Sequence, residues 1–310
     1  MNEEKIVFMG TPEFARNILQ ELIDEKRNVV AVVCQPDKKV GRKQIITFPP
    51  VKQLAVENNI PVIQPYKIKD EYAEVLSYEP DLIITCAFGQ FIPKAVLKAP
   101  RLGCINIHGS LLPKLRGGAP IQHAIIDGYK ETGITIMEMI SRMDAGDMIA
   151  QRSCIIEDSD TYGSLHDKLN KIAVELLRDT LPSILEGNYQ KISQDENEVT
   201  FGYNIAKEEE KIDFSRSYRQ VYDQIRGLIP EPCAYFTVNG KKVKVWKAEM
   251  SELTSEEETG MMHYYGNDLG ITVENKVILI KELQMEGKQK MSCRDFKNGA
   301  GRNWDGLKAE

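Results

Sequence analysis

Short, continuously apolar runs that alternate with helical patterns dominate the first half of the chain and constrain its fold most. The runs cover residues 5–9, 29–34, 82–87 and 104–108. The second begins Val-Val-Ala-Val-Val, without the polar alternation of a half-exposed strand, which is typical of strands with helices on both faces. Between the first two runs, Thr11, Pro12 and Glu13 supply a helix N-cap, a proline at the first helical position and an acidic first turn. The pattern predicts an α/β fold with a parallel, Rossmann-like sheet.

The last third of the chain carries strand-like runs around a tight-turn sequence. These runs cover residues 234–238, 244–248, 269–273 and 277–283. The first two flank Asn239-Gly240, a pair that favours a two-residue hairpin turn. This part of the chain is therefore expected to form a small β-rich domain.

The stretch between these two parts, residues 186–211, is polar and has no sustained periodicity. A chain of 310 residues also exceeds the usual length of one compact domain. We therefore predict an α/β domain over residues 1–190, a linker over 191–207 and the β-rich domain over 208–310.

Composition limits the classes of function. The net charge is −6, with 40 Lys and Arg against 46 Asp and Glu, which argues against nucleic-acid binding through a bulk positive field. The N-terminal apolar run is too short for a signal peptide or a membrane span, so we expect no membrane association and a cytoplasmic protein. The six cysteines form no CxxC unit, and we expect free thiols and no metal site.

A polar pair at the end of the run 104–108 is the strongest candidate for chemistry. In a strand, a period of two places Asn106 and His108 on one face, and the carboxyl end of a parallel strand opens into the crevice where α/β proteins bind ligands. An amide and an imidazole aimed at one point can donate hydrogen bonds to a carbonyl oxygen that becomes an oxyanion. These residues suit acyl or formyl transfer.

Asp144 lies in a later turn, where a carboxylate beside the imidazole would favour its protonated form and assist a proton relay. Asp147 fits that role equally well. On spacing alone, a structural histidine and a turn-forming aspartate explain the same residues.

Four stretches give the chain a close resemblance to the methionyl-tRNA formyltransferase family, within the folate-dependent formyltransferases. They are VFMGTPEFA at 7–15, NIH with SLLP at 106–113, RGGAPIQ at 116–122 and MDAGDM at 143–148. The resemblance implies 10-formyltetrahydrofolate as donor and initiator methionyl-tRNA as acceptor, without a metal and in a monomer. It also implies that the C-terminal domain is an OB-like barrel that helps to hold the RNA.

Carried over to this sequence, the resemblance assigns a role to each matching residue. Asn106 and His108 would stabilise the formyl oxyanion, and Asp144 would position His108 and assist proton removal. The folate site would be lined by Ser110, Leu111, Leu112 and Pro113.

A basic loop after the second apolar run is expected to approach the tRNA acceptor stem through Arg42, Lys43 and Lys38. A solvated charged loop explains these residues equally well. The loop 41–50 departs from the family pattern, with fewer basic and more apolar residues than many relatives carry.

Two other functions fit parts of this sequence. A formyltransferase acting on a sugar-nucleotide amine or another small amine would share Asn106, His108 and Asp144. A non-catalytic RNA-binding protein could keep the fold without turnover. A formylation assay separates all three possibilities.

Overall fold

The computed structural model describes residues 4–40 and 44–310, which form two compact units that do not follow chain order. The first unit contains the described residues of Met1–Pro120, together with Thr132–Cys154 and His166–Tyr203. The second contains Ile121–Glu131, Ile155–Leu165 and Asn204–Glu310.

The strands and helices have the following bounds. The strands are β1 (Ile6–Gly10), β2 (Val29–Val33), β3 (Lys38–Val40), β4 (Ile45–Thr47), β5 (Val62–Ile63), β6 (Leu82–Cys86), β7 (Cys104–His108), β8 (Glu131–Glu138), β9 (Met148–Ile155), β10 (Tyr235–Val238), β11 (Lys241–Thr254), β12 (Met262–Tyr265), β13 (Asp268–Val273), β14 (Lys276–Met285) and β15 (Met291–Ser292). The helices are α1 (Glu13–Asp24), α2 (Pro50–Glu57), α3 (Ile68–Glu71), α4 (Ala73–Ser77), α5 (Lys94–Lys98), α6 (Pro120–Ile126), α7 (Tyr162–Leu185), α8 (Tyr218–Gly227) and α9 (Cys293–Asn298). Short 3-10 turns lie at Glu196–Glu198 and Lys207–Glu210.

The first sheet has the strand order β5-β2-β1-β6-β7-β8-β9. The first five strands in this order, from β5 to β7, are parallel to one another, and β8 pairs with β7 in the antiparallel direction. All five residues of β1 and of β6 are buried, as the continuous apolar runs predict. Because carboxyl ends of parallel strands share one edge, the ends of β1, β6 and β7 meet where the sequence predicts the site. The predicted parallel α/β sheet is confirmed.

The turn from β1 into α1 differs from the prediction in one respect. Helix α1 begins at Glu13 with Pro12 at the N-cap position and no side-chain cap, so the prediction of Thr11 as N-cap is wrong. The Thr11 hydroxyl lies 3.3 Å from the Phe88 carbonyl oxygen and accepts a hydrogen bond from the Gln35 backbone N–H at 3.2 Å. It ties together the loops that follow β2 and β6, because both loops reach the same sheet edge.

The second unit is built around an antiparallel sheet of order β10-β11-β14-β13-β12, with β15 paired to β14. The predicted hairpin is confirmed: Val238 pairs with Lys241, and Asn239 and Gly240 have φ values of 50° and 74°. Both turn residues are left-handed, as a type I′ turn requires. The expected β-rich C-terminal domain is therefore present.

Helix α8 has a complete N-terminal capping box, in which Ser217 and Gln220 satisfy each other's backbone N–H groups. The apolar face of the helix, including Val221 and Ile225, joins the core beneath the antiparallel sheet. Among the residues that the structure describes, no helix is both long and apolar enough to cross a membrane.

Candidate active site

Asn106 is held by a hydroxyl on the neighbouring parallel strand. Thr85 on β6 is buried, and its Oγ1 lies 2.8 Å from Asn106 Oδ1. The hydroxyl lies closer to this amide oxygen than to the Ile105 carbonyl oxygen, which is 3.1 Å away, so we assign its one proton to the amide oxygen. The amide nitrogen of Asn106 is then the end left to donate to a ligand. Thr85 was not among the predicted site residues, although it is the polar interruption in the apolar run Leu82–Cys86.

His108 is 5% exposed, and the loop that follows β7 sets its tautomer. Its Nε2 lies 2.9 Å from the carbonyl oxygen of Leu115. A carbonyl oxygen only accepts, so Nε2 carries a proton in this contact. A neutral His108 therefore presents an unprotonated Nδ1 on its other side.

Asp144 faces that nitrogen. Its Oδ2 lies 3.8 Å from His108 Nδ1, within ion-pair range but too far for a direct hydrogen bond. The same oxygen accepts a 2.9 Å hydrogen bond from the Gly117 N–H. The other candidate acid, Asp147, accepts a hydrogen bond from the Ser193 hydroxyl at 3.0 Å. Of the two carboxylates, Asp144 is the one placed to stabilise an imidazolium.

Residues 110–113 form a loop that is held in place by two side-chain hydrogen bonds to backbone carbonyl groups. The Ser110 hydroxyl donates to the Lys114 carbonyl at 2.6 Å, and Gln151 Nε2 donates to the Leu112 carbonyl at 2.9 Å. Ser110 and Leu112 are buried, whereas Leu111 and Pro113 are half-exposed. The two half-exposed apolar side chains are the parts of this loop that can contact a ligand.

Residues 192–202, all of which lie in the predicted linker, pair with strand and loop residues around the candidate site. Ile192 exchanges backbone hydrogen bonds with Met148 at 2.8 and 2.9 Å. Further along, Thr200 Oγ1 accepts from the Leu115 N–H at 2.9 Å, and the Gly202 N–H donates to the Arg116 carbonyl at 2.8 Å. This segment therefore supports the loop whose Leu115 carbonyl binds His108.

Comparison with known proteins yields matches along nearly the whole chain. The Formyl transferase family model matches residues 4–181, and the model for the Formyl transferase C-terminal domain matches residues 204–301. A methionyl-tRNA formyltransferase of Bacillus thuringiensis subsp. konkukian (strain 97-27) is 48% identical over 306 residues, covering 95% of each chain. The enzyme of that name from Bacillus cereus (strain B4264) is 49% identical over 299 residues, again covering 95% of each.

The chain belongs to the methionyl-tRNA formyltransferase family.

Solved structures with low sequence identity share the fold with this family member. The sugar 3N-formyl transferase WlaRD, solved in the presence of dTDP and 5-N-formyl-THF, has a TM-score of 0.69 at 20% identity and covers 92% of this chain and 99% of its own. HypX from Aquifex aeolicus, in complex with tetrahydrofolic acid, has a TM-score of 0.69 at 17% identity and covers 99% of this chain and 49% of its own. At these identities the likeness shows the common fold alone.

The residues expected to contact RNA are only partly visible in this formyltransferase family member. Lys38 is exposed at the start of β3, which pairs with β4 in a separate two-stranded ribbon. Arg42 and Lys43 lie outside the described residues. Beyond them, β4 exposes Ile45 and Ile46 to solvent. This ribbon presents apolar as well as basic side chains.

Three buried cysteines of the first unit are not suited to nucleophilic chemistry. Cys34, Cys86 and Cys104 are buried, and burial raises the pKa of each thiol to about 12. A thiol with such a pKa is protonated at neutral pH, and the thiolate is the reactive form. These three thiols are therefore poor candidates for a nucleophile.

Proposed function

We propose that this protein transfers the formyl group of 10-formyltetrahydrofolate to the free amino group of methionyl initiator tRNA. The observation that carries the proposal is the near-complete match, at 48% identity, to proteins named methionyl-tRNA formyltransferase. The site geometry agrees with it, because Asn106, His108 and Asp144 provide an oxyanion donor, a base and a carboxylate at one sheet edge.

Asn106 acts first on the formyl oxygen. When the amine attacks the formyl carbon, a C–N bond forms and the carbonyl oxygen becomes an oxyanion. The Asn106 amide nitrogen donates a hydrogen bond to that oxygen, and Thr85 keeps the amide turned in the required direction. This donor strengthens as negative charge develops, so it lowers the barrier more than it tightens ground-state binding.

His108 carries the proton. With Nε2–H donated to Leu115, the Nδ1 lone pair accepts the proton that the attacking amine must lose. The resulting imidazolium lies beside Asp144 and can donate its Nδ1–H to the oxyanion. Collapse of the intermediate breaks the bond from the formyl carbon to the folate nitrogen, which receives the proton as it leaves.

The folate and RNA contacts complete the proposal. Leu111 and Pro113, with Ser110 and Leu112 holding the loop, would contact the folate. Lys38, Arg42 and Lys43 would contact the acceptor stem, with the domain over 208–310 holding the RNA further away. The catalytic domain would be 1–190 and the linker 191–207, in a monomer that acts in the cytoplasm without a metal.

An assay with a radiolabelled formyl group tests the formyl donor, the amine acceptor and the catalytic activity together. The purified protein is expected to formylate methionyl initiator tRNA with 10-formyltetrahydrofolate, and to leave amino-sugar nucleotides unmodified. Faster turnover with an amino-sugar nucleotide would show that the acceptor is a small amine and not the tRNA. No turnover with either acceptor would indicate a non-catalytic RNA-binding protein.

The Asn106→Ala variant tests the oxyanion role in the same assay. Loss of one such donor lowers kcat by about 100- to 1,000-fold. The dissociation constant for the charged RNA is expected to stay near the wild-type value, because Asn106 acts on the formyl group. Near-normal turnover of the variant would exclude that role.

A further inference from the structure

Gln194 lies on the segment 192–202, and both the nitrogen and the oxygen of its side-chain amide make hydrogen bonds. Its Nε2 donates to two backbone carbonyl oxygens of the same turn, that of Asp144 at 2.9 Å and that of Gly146 at 2.7 Å. Its Oε1 accepts two hydrogen bonds from Arg116, from Nε at 3.0 Å and from an Nη at 2.7 Å. A primary amide can make two donations and accept two bonds, so this side chain is saturated.

The Arg116 guanidinium fixes which way round the amide lies. Arg116 is 1% exposed and can only donate, so it must face the oxygen of Gln194 and never the NH₂ group. Glu196 holds the same guanidinium from a second side, at 3.0 Å. The amide of Gln194 therefore has one possible orientation, with both hydrogens directed at the Asp144 turn.

The Asp144 turn needs such support. Asp144 has a φ of 47°, in the left-handed region that residues with a side chain rarely adopt. Its side chain must also stay near His108, where the separation from Nδ1 is already 3.8 Å. A turn released from Gln194 can relax its backbone and carry the carboxylate away from the imidazole.

We propose that Gln194 is a positioning residue, held by buried Arg116, that fixes the Asp144 turn so that the carboxylate faces His108. This inference rests on the proposed function, since its readout is formyl transfer. Gln194 acts through Asp144 and touches neither the reacting atoms nor a substrate. A purely structural role for Gln194 would change stability and substrate binding together with turnover.

The Gln194→Glu substitution separates positioning from folding. Glutamate has the same shape and keeps an acceptor for Arg116, so the contact becomes an ion pair. It loses the two donations to the Asp144 and Gly146 carbonyls and places a negative oxygen against them. We expect kcat to fall about 10- to 100-fold, the size of effect that a small misplacement of a catalytic group produces. The KM values for both substrates are expected to stay near those of the wild type, and the decrease in kcat is expected to exceed any decrease in the folded fraction.

Two further variants complete the test. Gln194→Ala removes all four hydrogen bonds but lets water reach the freed groups, and it is expected to lower kcat in the same way if the first variant folds poorly. Glu198→Gln changes an exposed residue of the same segment, in the 3-10 turn Glu196–Glu198, and serves as the matched control, with wild-type kcat expected.

The outcomes separate this inference from the proposed function. A wild-type protein without formylation activity contradicts the function itself. An active wild type with unchanged kcat in folded Gln194→Glu and Gln194→Ala overturns the positioning role. So does a loss of kcat no greater than the loss of folded protein measured by circular dichroism.

Discussion

At the scale of single residues, the reacting groups and the groups that orient them differ in how readily the sequence reveals them. Asn106 and His108 are predictable because alternate residues of a strand share a face. Thr85 orients Asn106 and Gln194 binds the Asp144 turn, yet both are far away in the sequence. Their contacts are hydrogen bonds made only in the folded chain, and no periodic pattern in the sequence predicts them.

The Thr85→Val substitution tests the orientation of Asn106. Valine has nearly the same shape, so the buried strand keeps its packing while the amide oxygen loses its donor. A lost hydrogen bond of about 1 kcal/mol corresponds to a roughly fivefold decrease in kcat, read in the formylation assay. Thr85→Ser, which keeps the hydroxyl, should restore most of the activity. Equal kcat for the valine and serine variants would contradict the orienting role.

At the scale of elements, prediction succeeded where apolar burial determines the structure. Strands β1, β2, β6 and β7 lie within a residue of their predicted bounds because each is a continuous apolar run. Thr11 was wrongly predicted as a helix cap because its partners, the loops after β2 and β6, are distant in sequence. Residues 192–202 have no periodic apolar pattern, and backbone hydrogen bonds to Arg116, Ala119 and Met148 order them instead. A pattern-based reading cannot detect order of that kind.

The Gly117→Ala substitution tests this pairing. Gly117 has a φ of 124°, and an added Cβ would lie 2.6 Å from the Gly202 carbonyl oxygen, so the two segments must separate. We expect a loss of stability well beyond the roughly 1 kcal/mol of backbone strain, together with reduced formylation, because the Gly117 N–H also binds Asp144.

Gly187→Ala is the matched control for Gly117→Ala. Gly187 also has a positive φ, of 67°, but an added Cβ meets nothing within 4 Å. It therefore reports the backbone strain alone, in urea unfolding of both variants. Equal destabilisation of the two variants would show that the contact with residue 202 contributes nothing.

At the scale of the whole molecule, several carboxylates that contribute to the net charge of −6 are held in their charged form by hydrogen bonds. Hydrogen bonds from Lys52 and Gln64 lower the pKa of Asp37, and a hydrogen bond from Arg219 lowers the pKa of Asp158. The backbone N–H of Lys5, followed by Arg101, lowers the pKa of Asp81. Carboxylates of this kind occur in both compact units, so low pH should lower the stability of both units.

The Asp81→Asn variant tests this acid sensitivity. Asp81 accepts hydrogen bonds from the Lys5 backbone N–H at 2.8 Å and from Arg101 Nε at 2.6 Å, and it thereby joins the starts of β1 and β6. A carboxylate whose pKa is lowered by folding stabilises the protein above its unfolded pKa, here near the ordinary value of 3.8. That contribution is lost as the pH falls through the folded pKa.

Melting temperatures measured between about pH 7 and pH 3 distinguish this effect from a general loss of surface charge. At pH 7 the variant should melt about 2–4 °C below the wild type. The difference in melting temperature should begin to narrow below about pH 3.8, where the unfolded carboxyl takes up a proton, and should shrink further as the pH falls toward the lowered folded pKa. Asp70→Asn, at an exposed position on α3, is the control for removing one negative charge. If the difference in melting temperature between variant and wild type stays constant across the pH range, Asp81 acts through its shape and not through its charge.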